Sequence, residues 1–260
     1  RIVLFLKGVA MGAADVVPGV SGGTIAFISG IYETLIQAIR SVDLTALRLL
    51  LKADFKGVWK HINGNFLITL GAGIAVSILS LSRLVLWLLE HQPILLWSFF
   101  FGLILASIWS VGRNIKKWQP GRVTMFALGA VIAWWITSVS PASTPETWWF
   151  IMLSGAIAIC AMILPGISGS FILLLLGKYK FILGAIKALN IKVIAVFSIG
   201  MAGGILAFSH LLNWLLKRYH DLTVAVLAGF MLGSLNKVWP WKIPTEVYTD
   251  SHGKIQPLVE

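Results

Sequence analysis

Two short stretches carry the residue types from which an anion site is built. PGVSGG begins at Pro18 and PGISGS at Pro165, each inside an apolar run, and Asp15 is the only charged residue between Gly8 and Tyr32. Pro and Gly interrupt a helix, so a second half-helix is expected to start near Thr24 in one stretch and near Phe171 in the other. The first N–H groups of such a half-helix lack intrahelical partners. Those groups and the helix dipole favour an anion, and Gly allows close backbone approach. Ser and Thr hydroxyls add donors. The expected binding set is therefore Ser21, Gly22, Gly23 and Thr24 from one tip and Ser168, Gly169 and Ser170 from the other, with Pro18, Gly19, Pro165 and Gly166 shaping the hairpin turns. Two such tips entering from opposite faces would meet around one phosphate-sized group. The competing reading is a pair of Pro-kinked spanning helices with Gly for tight packing. Recurrence of the motif at matched positions favours re-entrant hairpins over it.

Ionisable groups inside apolar runs are costly and mark function. Asp15, Arg83 and His210 are the candidates. Arg83 is expected to bind an anion, with snorkelling to the interface as the alternative. His210 would do the same when protonated, or carry protons. Asp15 is expected to pair with Arg83, to cap the hairpin tip, or to take up a coupling proton. Glu33 and Lys180 hold equivalent places beside Tyr32 and Tyr179, and Glu33 is taken as a coupling or gating candidate near an interface. The sequence offers no Cys metal site, and we expect no metal and no cofactor.

The elements that position these residues follow from composition. The chain has 260 residues, 58% hydrophobic and 12% charged, with mean hydropathy +0.88. Soluble domains carry about 25% charged residues, so this chain belongs in a membrane. The net charge of +11 comes from Lys and Arg lying between apolar runs. Positive-inside topology accounts for them better than nucleic-acid binding does. A span needs roughly 20 residues, and the runs 66–89, 93–112, 123–139 and 193–216 each qualify as one helix. The run 222–236 is short. Trp87, Trp118, Trp148, Trp149 and Trp239 fall near run ends, as an aromatic belt does. Between Arg40 and His61, apolar residues at spacings of three and four beside Arg48, Lys52, Lys56 and Lys60 predict one interfacial amphipathic helix, or an ordinary loop. The tail after Trp241 is polar and is expected to be irregular.

The opening motif is part of an internal duplication. Pro18, Gly19, Ser21, Gly22, Gly30 and Tyr32 match Pro165, Gly166, Ser168, Gly169, Gly177 and Tyr179 without gaps. A second block, from Gly71 and from Ile199, matches at a shifted offset that sets Arg83 on His210 and Trp87 on Trp214. Counting spans with each motif run as a hairpin places Arg1, Lys7, the 40–61 linker, Arg113, Lys116, Lys117, Arg122, Lys217 and Arg218 on one side. The two halves come out inverted, although Lys178, Lys180, Lys187, Lys192 and Lys237 then fall outside, against the rule. The fold class is thus an all-α integral membrane protein of two inverted-topology repeats, each a broken-helix hairpin plus transmembrane helices. Its expected organisation is one membrane domain over 1–241: repeat one over about 1–122, a linking helix over 123–139 and repeat two over about 148–241. A polar tail occupies 242–260.

The stretches GAADVVPGVSGGTIAFISGIYE and LPGISGSFILLLLGKY resemble the bacterial polyprenyl-phosphate (undecaprenyl phosphate) transporter family, and the resemblance runs to about Trp241. It implies a non-enzymatic flippase in the bacterial cytoplasmic membrane that returns undecaprenyl phosphate, the lipid carrier of cell-wall sugars, to the cytoplasmic leaflet. Asp15, Pro18–Thr24, Glu33 and Pro165–Ser170 carry the family motif, whereas Arg83 and His210 come from the repeat. The expected partners are the lipid phosphate and the bilayer. A homodimer is left open. One alternative is an undecaprenyl-diphosphate phosphatase-like enzyme, but Gly22 and Gly169 stand where its tip Arg would be, and the glutamates are scattered. Without a charge clamp phosphoryl transfer is poorly stabilised. The other is a small-anion transporter or channel built on the same helix-terminus chemistry.

Overall fold

The apolar runs become helices. The structure is a computed structural model and describes residues 1–17, 20–115, 117–139, 141, 144–241, 244–249 and 255–259. Its helices are α1 (Ile2–Val16), α2 (Gly22–Ile28), α3 (Tyr32–Arg40), α4 (Leu44–Leu51), α5 (Phe55–His61), α6 (Gly64–His91), α7 (Pro93–Asn114), α8 (Pro120–Ser138), α9 (Trp148–Ile163), α10 (Gly169–Leu175), α11 (Tyr179–Lys187), α12 (Ile191–Arg218) and α13 (His220–Gly233). A 3₁₀ turn at Ser234–Val238 extends α13. Among the described residues five helices are long and apolar enough to cross a membrane, four of them drawn from α6, α7, α8 and α12 and the fifth spanning His220–Val238. The pair α10 and α11, bent by 109°, makes a sixth if taken as one span. Large apolar side chains such as Leu79 (79% exposed) and Trp109 (71%) face outward, as they do toward lipid. This is a multi-pass membrane protein.

Local chemistry sets the boundaries. Pro93 and Pro120 open α7 and α8 at the position where a missing N–H costs nothing. Gly30 and Gly177, with φ of 72° and 64°, follow α2 and α10. At each, the next residue's amide reaches back five positions, Ile31 to Ala26 and Lys178 to Leu173, while the Gly amide bonds Phe27 or Leu174. Both ends are thus Schellman caps, which require the left-handed conformation that Gly adopts freely.

Elements of matched length recur in matched order. The pairs α1 and α9, α2 and α10, and α3 and α11 have 15 and 16, 7 and 7, and 9 and 9 residues, and α6 and α12 have 28 each. Helix α1 packs along α6, and α9 along α12. Close approach at Gly8 to Leu70 and Gly12 to Ile74 shows α1 and α6 running the same way, as do Gly155 to Phe197 and Gly204 to Ala156 for α9 and α12. A chain of three charged contacts and Lys178 locate the breaks relative to α8. Glu33, at the start of α3, bonds His220, which bonds Asp221, which pairs with Arg122 near the start of α8. Lys178, at the start of α11, donates to the Thr144 carbonyl, beyond the far end of α8. The α2–α3 and α10–α11 breaks therefore sit toward opposite ends of α8.

Two expectations are corrected. The stretch from Arg40 to His61 is not one helix but two, α4 and α5, because Ala53 takes a left-handed φ of 55° and Asp54 caps a new helix through the Gly57 amide. Its apolar residues are outward, with Leu44 71% and Phe55 69% exposed. The tail is not irregular throughout: Pro244–Thr249 pairs antiparallel with Ile255–Val259, strand-forming Val, Tyr, Thr and Ile residues outweighing its polarity.

Candidate functional site

The two tips meet directly. Ser21 Oγ donates to the Met162 carbonyl at 2.9 Å, and the Gly166 amide donates to Thr24 Oγ1 at 2.9 Å. Ser21, Thr24 and Ser168 are all at least nine-tenths buried. A Cβ at Gly23 would lie 2.5 Å from the Ile163 carbonyl oxygen, so only Gly lets the first turn of α2 press against the end of α9. Gly166 adopts φ of 87°, and a Cβ there would meet Ser234 Oγ at 2.6 Å on the turn after α13. The carbonyls at the end of α9 lack helical partners, and the Ser21 hydroxyl satisfies one of them.

The tips differ in what their N–H groups do. At α2 the Gly22 amide donates to Asp15 Oδ1 at 2.7 Å, Gly23 to Ser21 Oγ at 3.1 Å and Thr24 to the Ser21 carbonyl at 2.9 Å. The first turn is therefore fully used, one of its three amides by a carboxylate, which suits a helix N-terminus. At α10, Ser168 makes no side-chain cap and instead bonds Ser170 Oγ at 2.8 Å. Among the described residues the Gly169, Ser170 and Phe171 amides meet no protein acceptor. Ser170 is exposed. Met162, which holds the place of Asp15 in the second motif, contributes only its backbone oxygen. Pro165 is buried, while Pro18 and Gly19 lie outside the described residues.

Asp15 caps the tip and makes no pair with Arg83. Arg83 and His210 stand nineteen residues after the first residues of α6 and α12. Both side chains are exposed. His210 Nδ1 lies 2.8 Å from the Leu206 carbonyl, and Arg83 has no ion-pair partner among the described residues. The structure thus gathers the two tips and Asp15 and leaves Arg83 and His210 on the helix surfaces.

This geometry can be set beside known proteins. A family profile described as undecaprenyl phosphate translocase-like matches residues 11–256. The chain belongs to that family. It is 51% identical over 256 residues to a polyprenyl-phosphate transporter of Vibrio cholerae, covering 98% of this chain and 83% of that protein. It is 31% identical over 260 residues to a polyprenyl-phosphate transporter of Staphylococcus aureus, covering 93% and 87%. No solved structure matches.

In this translocase-like chain two further polar features escaped the sequence reading. Glu33 Oε1 lies 3.0 Å from His220 Nε2, so the gating candidate joins α3 to α13. The signal was present as an acid in the first turn of an amphipathic helix, but its partner is 187 positions away. Lys178, assigned above to an outer loop, is only 1% exposed. Its Nζ donates to the Thr144 carbonyl at 2.7 Å and lies 5.7 and 5.6 Å from the Phe150 and Phe181 ring centres. A buried ammonium is tolerable only with such partners. It fills the place that Ile31 holds after α2.

Proposed function

We propose that this protein carries polyprenyl phosphate across the bacterial cytoplasmic membrane, returning the lipid carrier from the outer to the cytoplasmic leaflet. The observation that carries the reading is the contact of the two tips through Ser21–Met162 and Thr24–Gly166, in a chain of this family. The matched helix lengths and the breaks toward opposite ends of α8 support two inverted repeats, an architecture in which the substrate sits where broken helices meet.

The lipid phosphate is received at the second tip, whose Gly169 and Ser170 amides and Ser168 and Ser170 hydroxyls are donors not committed to the first tip. Asp15 is the gate. Its carboxylate holds the Gly22 amide that a phosphate oxygen would take, and like charge keeps the headgroup from closing on the first tip. A proton on Asp15 removes that charge and weakens its claim on Gly22, so the headgroup bridges Gly22, Gly23 and the second tip. Loss of the proton restores the cap and expels the headgroup toward the other leaflet. Arg83 and His210, at equivalent positions of α6 and α12 and so on opposite sides of the midplane in the inverted halves, meet the headgroup outside the tips, and most of the prenyl tail stays in lipid. The Glu33–His220 pair joins the halves at one end and yields as they rock.

The test is translocation of a labelled short-chain polyprenyl phosphate in proteoliposomes, with polyprenyl diphosphate and inorganic phosphate assayed in parallel. Translocation of the monophosphate without phosphate release from the diphosphate is expected. Phosphate release would replace the transporter with a phosphatase. Uptake of free phosphate without lipid movement would replace it with a small-anion carrier.

A further inference from the structure

At the end of α12 three cations that topology alone was taken to explain come together. A groove of about 510 Å³ is lined by Arg40 from the end of α3 and by His210, Asn213, Trp214, Lys217 and Arg218 from α12. His210, Asn213, Trp214 and Lys217 recur at spacings of three and four, so they form one stripe of the helix. The stripe descends about 12 Å from Arg218 to His210 at the helical rise of about 1.5 Å per residue. No acidic residue lines the groove. Arg40, Lys217 and Arg218 are exposed and make no ion pair among the described residues. Asn213 is different: it is only 6% exposed, yet its side-chain amide has no hydrogen-bond partner among the described residues and lines the same groove.

A second cavity of about 630 Å³ shares His210 and is lined by Val42, Asp43, Leu44, Thr45, Leu47 and Leu206. It is largely apolar. The one acid in it, Asp43, is held by the Thr45 and Ala46 amides and by His61. A groove lined by cations therefore adjoins, at His210, a largely apolar one on the outer surface of membrane helices.

We propose that this pair of cavities binds a lipid phosphate, with the headgroup among Arg40, Lys217, Arg218 and Asn213 and the first part of its chain against Leu44, Leu47, Leu206 and Trp214. A phosphate monoester bears close to two negative charges and three acceptor oxygens, which guanidinium forks and an ammonium match with charge-assisted hydrogen bonds. The Asn213 amide supplies a neutral donor. Asp43 repels a second charge in the apolar groove and so fixes which end of the lipid goes where. The site exists on one half only, because the alignment that sets Arg83 on His210 places Glu90 and His91 opposite Lys217 and Arg218. It thus serves one face of the membrane, the end of α12 that carries the basic residues. The inference deepens the transport reading above and rests on it for the identity of the lipid: the groove is where the headgroup docks on that face, apart from the hairpin tips.

The experiment is equilibrium binding to the full chain in nanodiscs of uncharged lipid, with a short-chain polyprenyl phosphate, the corresponding polyprenol and inorganic phosphate as probes. The variants are Arg40→Gln/Lys217→Gln/Arg218→Gln and, separately, Asn213→Leu. The three cations are exposed, so their removal leaves packing intact, and size-exclusion elution checks this. Binding of the polyprenyl phosphate is expected to fall at least tenfold in the triple variant and several-fold in Asn213→Leu, while the polyprenol binds weakly to every form. A photoreactive chain should label the segments holding Leu44, Leu47 and Leu206. Unchanged affinity in the triple variant, or equal affinity for the polyprenol, overturns the site. Inorganic phosphate binding as tightly as the lipid also overturns it, in favour of a free-anion site. Translocation by the wild type with unchanged binding in the triple variant defeats the groove alone. Charge-dependent binding without any translocation defeats the transport reading and leaves the groove standing.

Discussion

Thr24 Oγ1 accepts the backbone amide of Gly166 at 2.9 Å and so ties together two helix breaks, α1–α2 and α9–α10, through residues 142 positions apart in the chain. Thr24 is fully buried, and so is the amide it serves. Thr24→Val keeps the shape and removes the oxygen. It leaves a buried donor unsatisfied, which costs about 1–3 kcal/mol. Thr24→Ser should stay near wild type. Unfolding in mild detergent titrated with SDS measures both, and equal stability of the valine and serine variants would show that the bond does not hold the tips.

Close backbone approach is tested at Gly23. A Cβ there lies 2.5 Å from the Ile163 carbonyl oxygen, a backbone atom that cannot swing away. Gly23→Ala should destabilise by about 1–3 kcal/mol, the usual range for overpacking. Gly71→Ala, at a helical position with open space around it, should be neutral or gain about 0.5–1 kcal/mol. Thermal unfolding of the two variants in one detergent makes the comparison, and similar midpoints would contradict the tight tip.

Lys178 is a volume filler as much as a charge. Lys178→Met keeps most of its volume and loses the bond to the Thr144 carbonyl and the two ring contacts. Lys178→Ala also opens a cavity. The alanine variant should cost roughly 2–5 kcal/mol, as large buried side chains do, and the methionine variant clearly less, because an apolar group of similar size avoids burying a charge. Denaturation curves decide it. A methionine variant as unstable as the alanine one would mean that the charge itself is required.

Asp43 caps α4 from outside the membrane spans. Hydrogen bonds, first from the Ala46 amide and then from His61 and the Thr45 amide, hold its carboxyl below the ordinary value of 3.8. A carboxyl depressed in the folded state contributes stability that is present above its unfolded value and is lost as pH falls through its folded one. Amide exchange at Thr45 and Ala46, corrected for intrinsic rates, should be pH-independent above 3.8 and quicken below it. Asp43→Asn keeps a capping oxygen and should abolish the step. A step that persists in the variant would assign it to another group.

Much of this architecture is legible in sequence because lipid imposes a length. Runs of about 20 apolar residues specify α6, α7, α8 and α12 without reference to anything they touch. The helix breaks are legible because the same breaker motif occurs twice, and Gly30 and Gly177 match because both close Schellman caps. The shifted offset of the second matched block has a plain cause: α4 and α5 lie between Arg40 and Gly64, whereas Lys187 and Ile191 are nearly adjacent. What sequence could not show is contact between distant segments. The donors of the first tip read as free for an anion, with a cap by Asp15 only one of three expectations, yet Asp15 and Ser21 occupy them. Arg40 and Lys217 each fit the positive-inside pattern, and that explanation hides the fact that they share one groove. Ala53 breaks the 40–61 helix with no Gly or Pro to announce it, and only Asp54, a capping residue at the new start, marks the place.

The central claim is that the paired tips handle the lipid phosphate, and Asp15 tests it most directly. Translocation of a labelled polyprenyl phosphate in proteoliposomes should be compared for wild type, Ser21→Ala/Ser168→Ala and Asp15→Asn across pH, with unfolding midpoints taken on the same preparations. The account predicts that the double serine variant translocates at least tenfold more slowly while remaining folded, and that Asp15→Asn loses the pH dependence shown by wild type. Wild-type rates in the folded serine variant, with the same pH profile in Asp15→Asn, would contradict it.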